Sequence, residues 1–131
     1  MKKTGILNQD ISRVVAGMGH TDMLVIADAG LPIPAACERI DVAIGRGIPD
    51  FFSTVEVIVS ELQVESIILA EEMRSASPEL YRKLTELFEG VTIEYVSHEQ
   101  FKTRSGQAKA IVRTGEFSPF ANVILISGVV F

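Results

Sequence analysis

Ser66-Ile67-Ile68-Leu69-Ala70 runs into Glu71-Glu72, then Ser77-Pro78-Glu79-Leu80-Tyr81-Arg82-Lys83-Leu84-Thr85-Glu86-Leu87, then Gly90-Val91-Thr92-Ile93-Glu94-Tyr95-Val96. The first and last segments are short β-branched runs of strand character. Between them, Ser77-Pro78-Glu79 predicts a helix start, with serine capping, proline at the first position and an acid in the first turn. Leu80, Leu84 and Leu87 share one helical face, opposite Arg82, Lys83 and Glu86, and Gly90 marks the stop. Apolar runs recur at Met23–Ala27, Arg39–Ile44, Lys109–Arg113 and Val123–Ser127. Helical periods fill the gaps. Asp50–Leu62 puts Phe51, Val55, Ile58 and Leu62 on one face, and Asn8–Ala16 is a weaker amphipathic helix. Ser97-His98-Glu99-Gln100 has the capping-box pattern and opens a short helix ending near Gly106. This alternation predicts an α/β fold over residues 1–131, a single three-layer domain with a largely parallel central sheet flanked by helices.

The chain has 131 residues, enough for one domain with a core that needs no disulfide or metal staple. A net charge of -5 and a pI near 5.0 argue against nucleic-acid binding, which needs a basic stripe. The one cysteine, Cys37, cannot form an internal disulfide, and no basic group flanks it, so it reads as an inert thiol in a reducing compartment. No segment has the apolar core of a signal peptide, and the longest uncharged stretch, Phe117–Phe131, falls short of a membrane span. A soluble cytoplasmic protein is the expectation. Mean hydropathy is +0.31 with 22% charged residues, apolar for so small a chain. Together with the apolar tail Gly128-Val129-Val130-Phe131, this predicts that some apolar surface is covered between subunits.

In sheets of this kind, ligands gather at the carboxyl ends of strands. Asp28 stands just past the first run, Glu71 and Glu72 past the third, and His98 past the fourth. Asn122 precedes its strand and would join them only through a turn or an antiparallel last strand. His20 follows a Gly-x-Gly turn and suits acid–base work near neutral pH, with Asp22 or Asp28 as orienting carboxylate. The plainer reading is a loop histidine satisfied by a neighbouring acid. His98 and Lys102 share one helical face and together suit hydrogen bonding to a polyhydroxylated ligand, against a solvated first-turn histidine and an unrelated lysine. Asp28 begins the stiff turn Asp28-Ala29-Gly30-Leu31-Pro32-Ile33-Pro34, either a pocket wall or a strand-ending Asx-turn. Glu71-Glu72-Met73-Arg74 reads as a salt-linked solvated loop. No ligand spacing for a metal, no phosphate-binding loop and no nucleophile–histidine pair is present. Acid–base chemistry without a cofactor is what remains.

Five segments carry a resemblance to a known family: Met1–Asn8, Gly19-His20-Thr21-Asp22, Asp28–Pro34, Arg113-Thr114-Gly115-Glu116 and Ser118–Leu125. The chain resembles the ribose/fucose mutarotase family along its whole length, its ribose branch more than its fucose branch. The resemblance implies interconversion of pyranose and furanose forms of a free sugar for use by a ribokinase, without metal or nucleotide. It implies pentameric rings stacked into a homodecamer, with sites between neighbouring subunits. It places the proton donor on His20 and substrate binding on Asp28, His98, Phe120, Ala121 and Asn122, with Lys102 as an addition. Many relatives have tyrosine where this chain has Phe120, so a phenol hydrogen bond is absent here. Two other readings stay open: a non-catalytic ribose-binding regulator of sugar uptake, and a metal-dependent isomerase or lyase built on His20, His98 and Asp28.

Overall fold

The strand–helix–strand stretch folds as β3 (Val64–Ala70), a one-turn α3 (Met73–Ala76), α4 (Pro78–Leu87) and β4 (Thr92–Val96), with β3 and β4 parallel neighbours. The computed structural model describes residues 1–131. Ahead of this unit come α1 (Gln9–Gly17), β1 (Met23–Ala27), β2 (Arg39–Asp41) and α2 (Phe51–Val59); after it come α5 (His98–Ser105), β5 (Ala110–Arg113) and β6 (Val123–Ser127). The six strands form one sheet in the order β2-β5-β1-β6-β3-β4. All pairs are parallel except those of β6, which runs antiparallel to both β1 and β3. The expectation of a largely parallel sheet holds.

The antiparallel strand has a simple origin. After β5 the chain does not cross back over a face with a helix; residues 114–122 loop along the rim and turn straight into β6. The strand therefore starts at the rim where β1, β3, β4 and β5 end. Helices cover both faces. Leu24, Ile26, Ile67, Leu69, Val123 and Leu125 point to the side packed by Ile11 and Val14 of α1, Phe51, Val55 and Ile58 of α2, and Leu84 of α4. The alternate residues Val25, Ala27, Ile68, Ile111 and Ile124 face Phe101 of α5, Leu31 and Cys37. Central strands buried on both faces read as continuous apolar runs, which is why the sequence marked them so plainly.

Local chemistry fixes most helix starts. Asn8 Oδ1 accepts from Ile11 N at 2.9 Å, and Asp50 Oδ1 accepts from Ser53 N at 2.9 Å. The capping box at Ser97 and Gln100 is formed in both directions. Three expectations need correction. Ser77 does not cap α4 with its hydroxyl, which donates instead to Pro119 O at 2.7 Å. Glu71–Arg74 is no salt-linked loop: it leads into α3, and the Arg74 guanidinium lies 3.7 Å from the centre of the Tyr95 ring. The second strand stops at Asp41, not Ile44: Val42 N–H makes the last ladder bond, to Arg113 O, and the chain then leaves for the Gly45–Ile48 turn. Cys37 is buried, and that burial, with Glu38 nearby, pushes its thiol above the ordinary value. No helix is long and apolar enough to cross a membrane.

Candidate active site

Asp28 and Asn122, 94 residues apart, form a reciprocal pair at the strand-end rim. Asp28 N–H donates to Asn122 Oδ1 at 2.9 Å, and Asn122 Nδ2 donates to Asp28 Oδ2 at 2.9 Å. Gly30 N–H donates to Asp28 Oδ1 at 2.9 Å, so the Asx-turn foreseen for Asp28 is present as well. The turn and the pocket wall are one structure. A carboxylate has roughly four acceptor positions, and these bonds use two of them. The rest serve an open cavity of about 370 Å³ that Asp28 shares with Gly30, Arg113, Glu116 and Ser118. Asn122 and Ala121 are fully buried, so neither can drift.

The loop carrying these residues is sewn down. Thr114 Oγ1 donates to Ala27 O at 2.8 Å, Arg113 Nε to Ala29 O at 3.0 Å, and Ala29 N–H to Glu116 O at 2.8 Å. The Glu116 carboxylate accepts from Ser118 Oγ, Ser118 N, Phe117 N and Phe51 N. Burial opposes its ionisation, but those four donors outweigh burial and hold its pKa below the ordinary value. Phe120 takes the left-handed backbone at φ 59, which for a non-glycine residue is a strained turn. That reversal sends the Phe120 ring towards His98 while Asn122 turns towards Asp28. The two rings meet edge to face, centroids 4.9 Å apart.

His98 is the first residue of α5. Its N–H donates to both Glu72 carboxylate oxygens, at 3.1 and 3.0 Å. Phe101 stacks beside its ring at 6.4 Å. Nδ1 is buried without a hydrogen-bond partner, which leaves Nε2 as the nitrogen that can address a ligand. Lys102, one turn on, has its ammonium 2.6 Å from Glu99. Glu99 is largely exposed and Lys102 half-buried, and a pair open to water on one side is weak enough for a ligand hydroxyl to compete with it.

His20 lies elsewhere. It precedes β1, whereas Asp28 follows it, and five strand residues place their backbones about 16 Å apart. Its Nε2 sits 2.5 Å from Glu65 Oε2 at the start of β3, both side chains about half exposed. Within one chain the ring's partner is Glu65, and not Asp22 or Asp28 as spacing suggested. Asp22 instead accepts from Gly19 N–H at 2.9 Å and faces Lys109. The Gly19 bond, opposed by desolvation and aided by Lys109, holds the Asp22 carboxyl below its ordinary value. The structure thus gathers Asp28, His98, Phe120, Ala121 and Asn122 on one rim, with Lys102 on the adjoining helix, and leaves His20 on the other. Sequence reasoning did not single out Glu65, Glu116 or Arg113 for the site. Only the Arg113–Glu116 resemblance pointed near any of them. No group of three His, Cys, Asp or Glu side chains converges as a metal-ligand set in the chain.

A carboxylate, an amide, an imidazole and an aromatic ring thus stand along one rim of a six-stranded α/β domain, with an open cavity beside the carboxylate. The chain belongs to the RbsD / FucU transport protein family, which it matches over residues 1–130. It is 52% identical over 131 residues to a D-ribose pyranase of Clostridium botulinum, covering both chains completely. It is 50% identical to a D-ribose pyranase of Geobacillus kaustophilus, covering all of this chain and 96% of that one. Among solved structures it superposes with Bacillus subtilis RbsD complexed with D-ribose at a TM-score of 0.97 and 47% identity, covering 100% of each chain.

Proposed function

We propose that the chain is an isomerase that interconverts the pyranose and furanose forms of free D-ribose. Two findings support this: identity of about half to D-ribose pyranases along the full length, and a near-superposable relative solved with ribose. The reaction needs one proton delivered to the ring oxygen while the anomeric hydroxyl gives one up. The C1–O bond to the ring then breaks, leaving the open-chain aldehyde. Reclosure by a different hydroxyl reverses both transfers, so atoms balance without a cofactor. His20 is the proton donor in this reading. Asp28, Asn122 and His98 bind hydroxyls, Lys102 adds a further donor, and Phe120 with Ala121 walls the C–H face of the sugar. A positioned acid or base contributes about 10²–10⁴-fold.

The observation that carries the arrangement is the separation of His20 from Asp28 across the length of β1. One chain cannot put both on one pentose. A head-to-tail contact that lays the His20 edge of one copy on the Asp28 edge of the next completes the site, and such heterologous contacts close into rings. Leu7, Ile44, Val130 and Phe131 are 70%, 85%, 85% and 101% exposed, apolar surface suited to such contacts. We take the assembly to be a homodecamer of two stacked pentamers in the cytoplasm. The deciding experiment is saturation-transfer NMR on free ribose. Faster pyranose–furanose exchange with protein present is expected. Ribose binding with an unchanged exchange rate would instead make the chain a sugar-binding regulator.

A further inference from the structure

Glu72 has no place in the reaction just described, yet its carboxylate is committed within the chain. Both oxygens sit on the His98 N–H, at 3.1 and 3.0 Å. The capping box of α5 does not reach this donor. Ser97 Oγ already accepts from Gln100 N, and Gln100 Oε1 already accepts from Ser97 N. The His98 N–H is a further open donor of that first turn, and the Glu72 carboxylate, arriving from just past β3, is what satisfies it. What the Glu72 bond adds is a tie between two chain segments that leave the sheet side by side. Glu71 N–H donates to Val96 O at 2.8 Å, extending the β3–β4 ladder by one step, and Glu72 extends it again onto residue 98.

The ring of His98 depends on where its backbone sits. Its Nδ1 is buried without a partner, so no side-chain hydrogen bond of its own orients it. It is held only by packing between Phe101 and Phe120 and by the anchored N–H. A binding group without a polar tether of its own needs its support fixed from behind, since small displacements of a contact weaken it steeply. The His98 N–H bond, with Glu72's own backbone N–H adding to it against slight burial, holds the Glu72 carboxyl below its ordinary value, so it is ionised at neutral pH.

We infer that Glu72 is a positioning residue for the sugar-binding His98: its carboxylate reaches from the end of β3 to pin the start of α5 and thereby aims Nε2 at the ligand. This rests on the proposed reading of the site as a ribose site. The effect belongs to binding of substrate, not to proton transfer, and depends on reach, not charge. Glutamine keeps the reach and an acceptor oxygen; aspartate keeps the charge but is one methylene short; alanine keeps neither.

The test is exchange NMR on the assembled full-length protein over a range of ribose concentrations, with E72Q, E72D and E72A beside wild type. KM is expected to rise about 5- to 10-fold in E72A, the loss of roughly one hydrogen bond's worth of positioning. A smaller rise is expected in E72D and little change in E72Q, with kcat in all three within about twofold of wild type. A flat KM across the series would overturn the inference. So would a fall in kcat at saturating ribose with KM unchanged, or an E72Q as impaired as E72A beside a normal E72D. Should E72A not assemble, the order of E72Q and E72D still decides between reach and charge. Failure of the ribose reading shows separately, because wild type itself would then leave the exchange rate unaltered.

Discussion

The two rims of the sheet are built by different means. At the strand-end rim, polar groups are bonded in pairs and to backbone: Asp28 with Asn122, Glu116 with four donors, Thr114 with Ala27 O. Asn122, Ala121 and Thr114 are completely buried. At the other rim, His20 leans on Glu65 through a half-exposed contact in a loop where Thr21 is bent to φ 69. A binding rim that must match several hydroxyls at once gains from groups fixed before the ligand arrives. A donor supplied by a neighbouring copy needs only to be presented on an accessible edge. On the proposed reading, the contrast divides the labour: the binding half of the site folds within a chain, and the reacting proton would be brought by assembly.

The largest test of that division is His20→Ala. Exchange is expected to fall by about 10²–10⁴-fold, with ribose affinity close to wild type because the binding rim is untouched. The sharper form mixes His20→Ala subunits with Asp28→Asn subunits, each inactive alone. If every site takes His20 from one copy and Asp28 from the next, random one-to-one mixing restores about a quarter of the native sites. A site held within one chain would restore none. Next in size is Asn122→Ala, which removes a fully buried side chain and strips the half-buried Asp28 N–H and Oδ2 of their partner. A stability loss of about 1–3 kcal/mol in chemical denaturation is expected, accompanied by weaker ribose binding.

How much of this was legible follows from how local each signal is. The β3–α4–β4 unit could be read because alternation, proline and glycine act within a few residues. The α5 start could be read because Ser97 and Gln100 cap each other. Asp28 and His98 could be placed on one rim because both simply follow a strand. The Asp28–Asn122 bond could be foreseen only conditionally, since it depends on β6 running against its neighbours, and that follows from a connection, not from a residue pattern. Ser77 was misread because its competing acceptor, Pro119 O, arrives on a loop 42 residues away. Glu65 had no signature at all: an acid in a strand becomes the partner of His20 only because β6 separates β1 from β3 and sets their starting ends near each other.

Acid tests the binding rim more gently. Glu116 ionises below the ordinary glutamate value in the folded chain, so its contribution to stability is complete above that ordinary value. As pH falls through the depressed folded value, the carboxylate protonates and the contribution is lost. Thermal melts between pH 7 and pH 3 are expected to show this decline. Glu116→Gln is expected to melt lower at pH 7 and to depend less on acid, because the amide keeps only part of the acceptor set. Equal acid sensitivity in wild type and Glu116→Gln would mean that other carboxylates set the profile.

The smallest effect is expected on the other rim, from Glu65→Gln. Side chains exposed by 52% and 51% share their pair with water and salt, so the change is expected to cost less than about 1 kcal/mol in the folding of the chain. Chemical denaturation of dissociated subunits is the measurement for that figure. In the assembled protein the same substitution becomes diagnostic. If a neighbouring copy lies over His20, water is excluded from the pair and its loss weighs more, so the assembled protein should lose more stability than the separate chain. Equal losses in the two states would mean that the rim stays in solvent after assembly, and the His20 of one copy would then not reach the Asp28 of another.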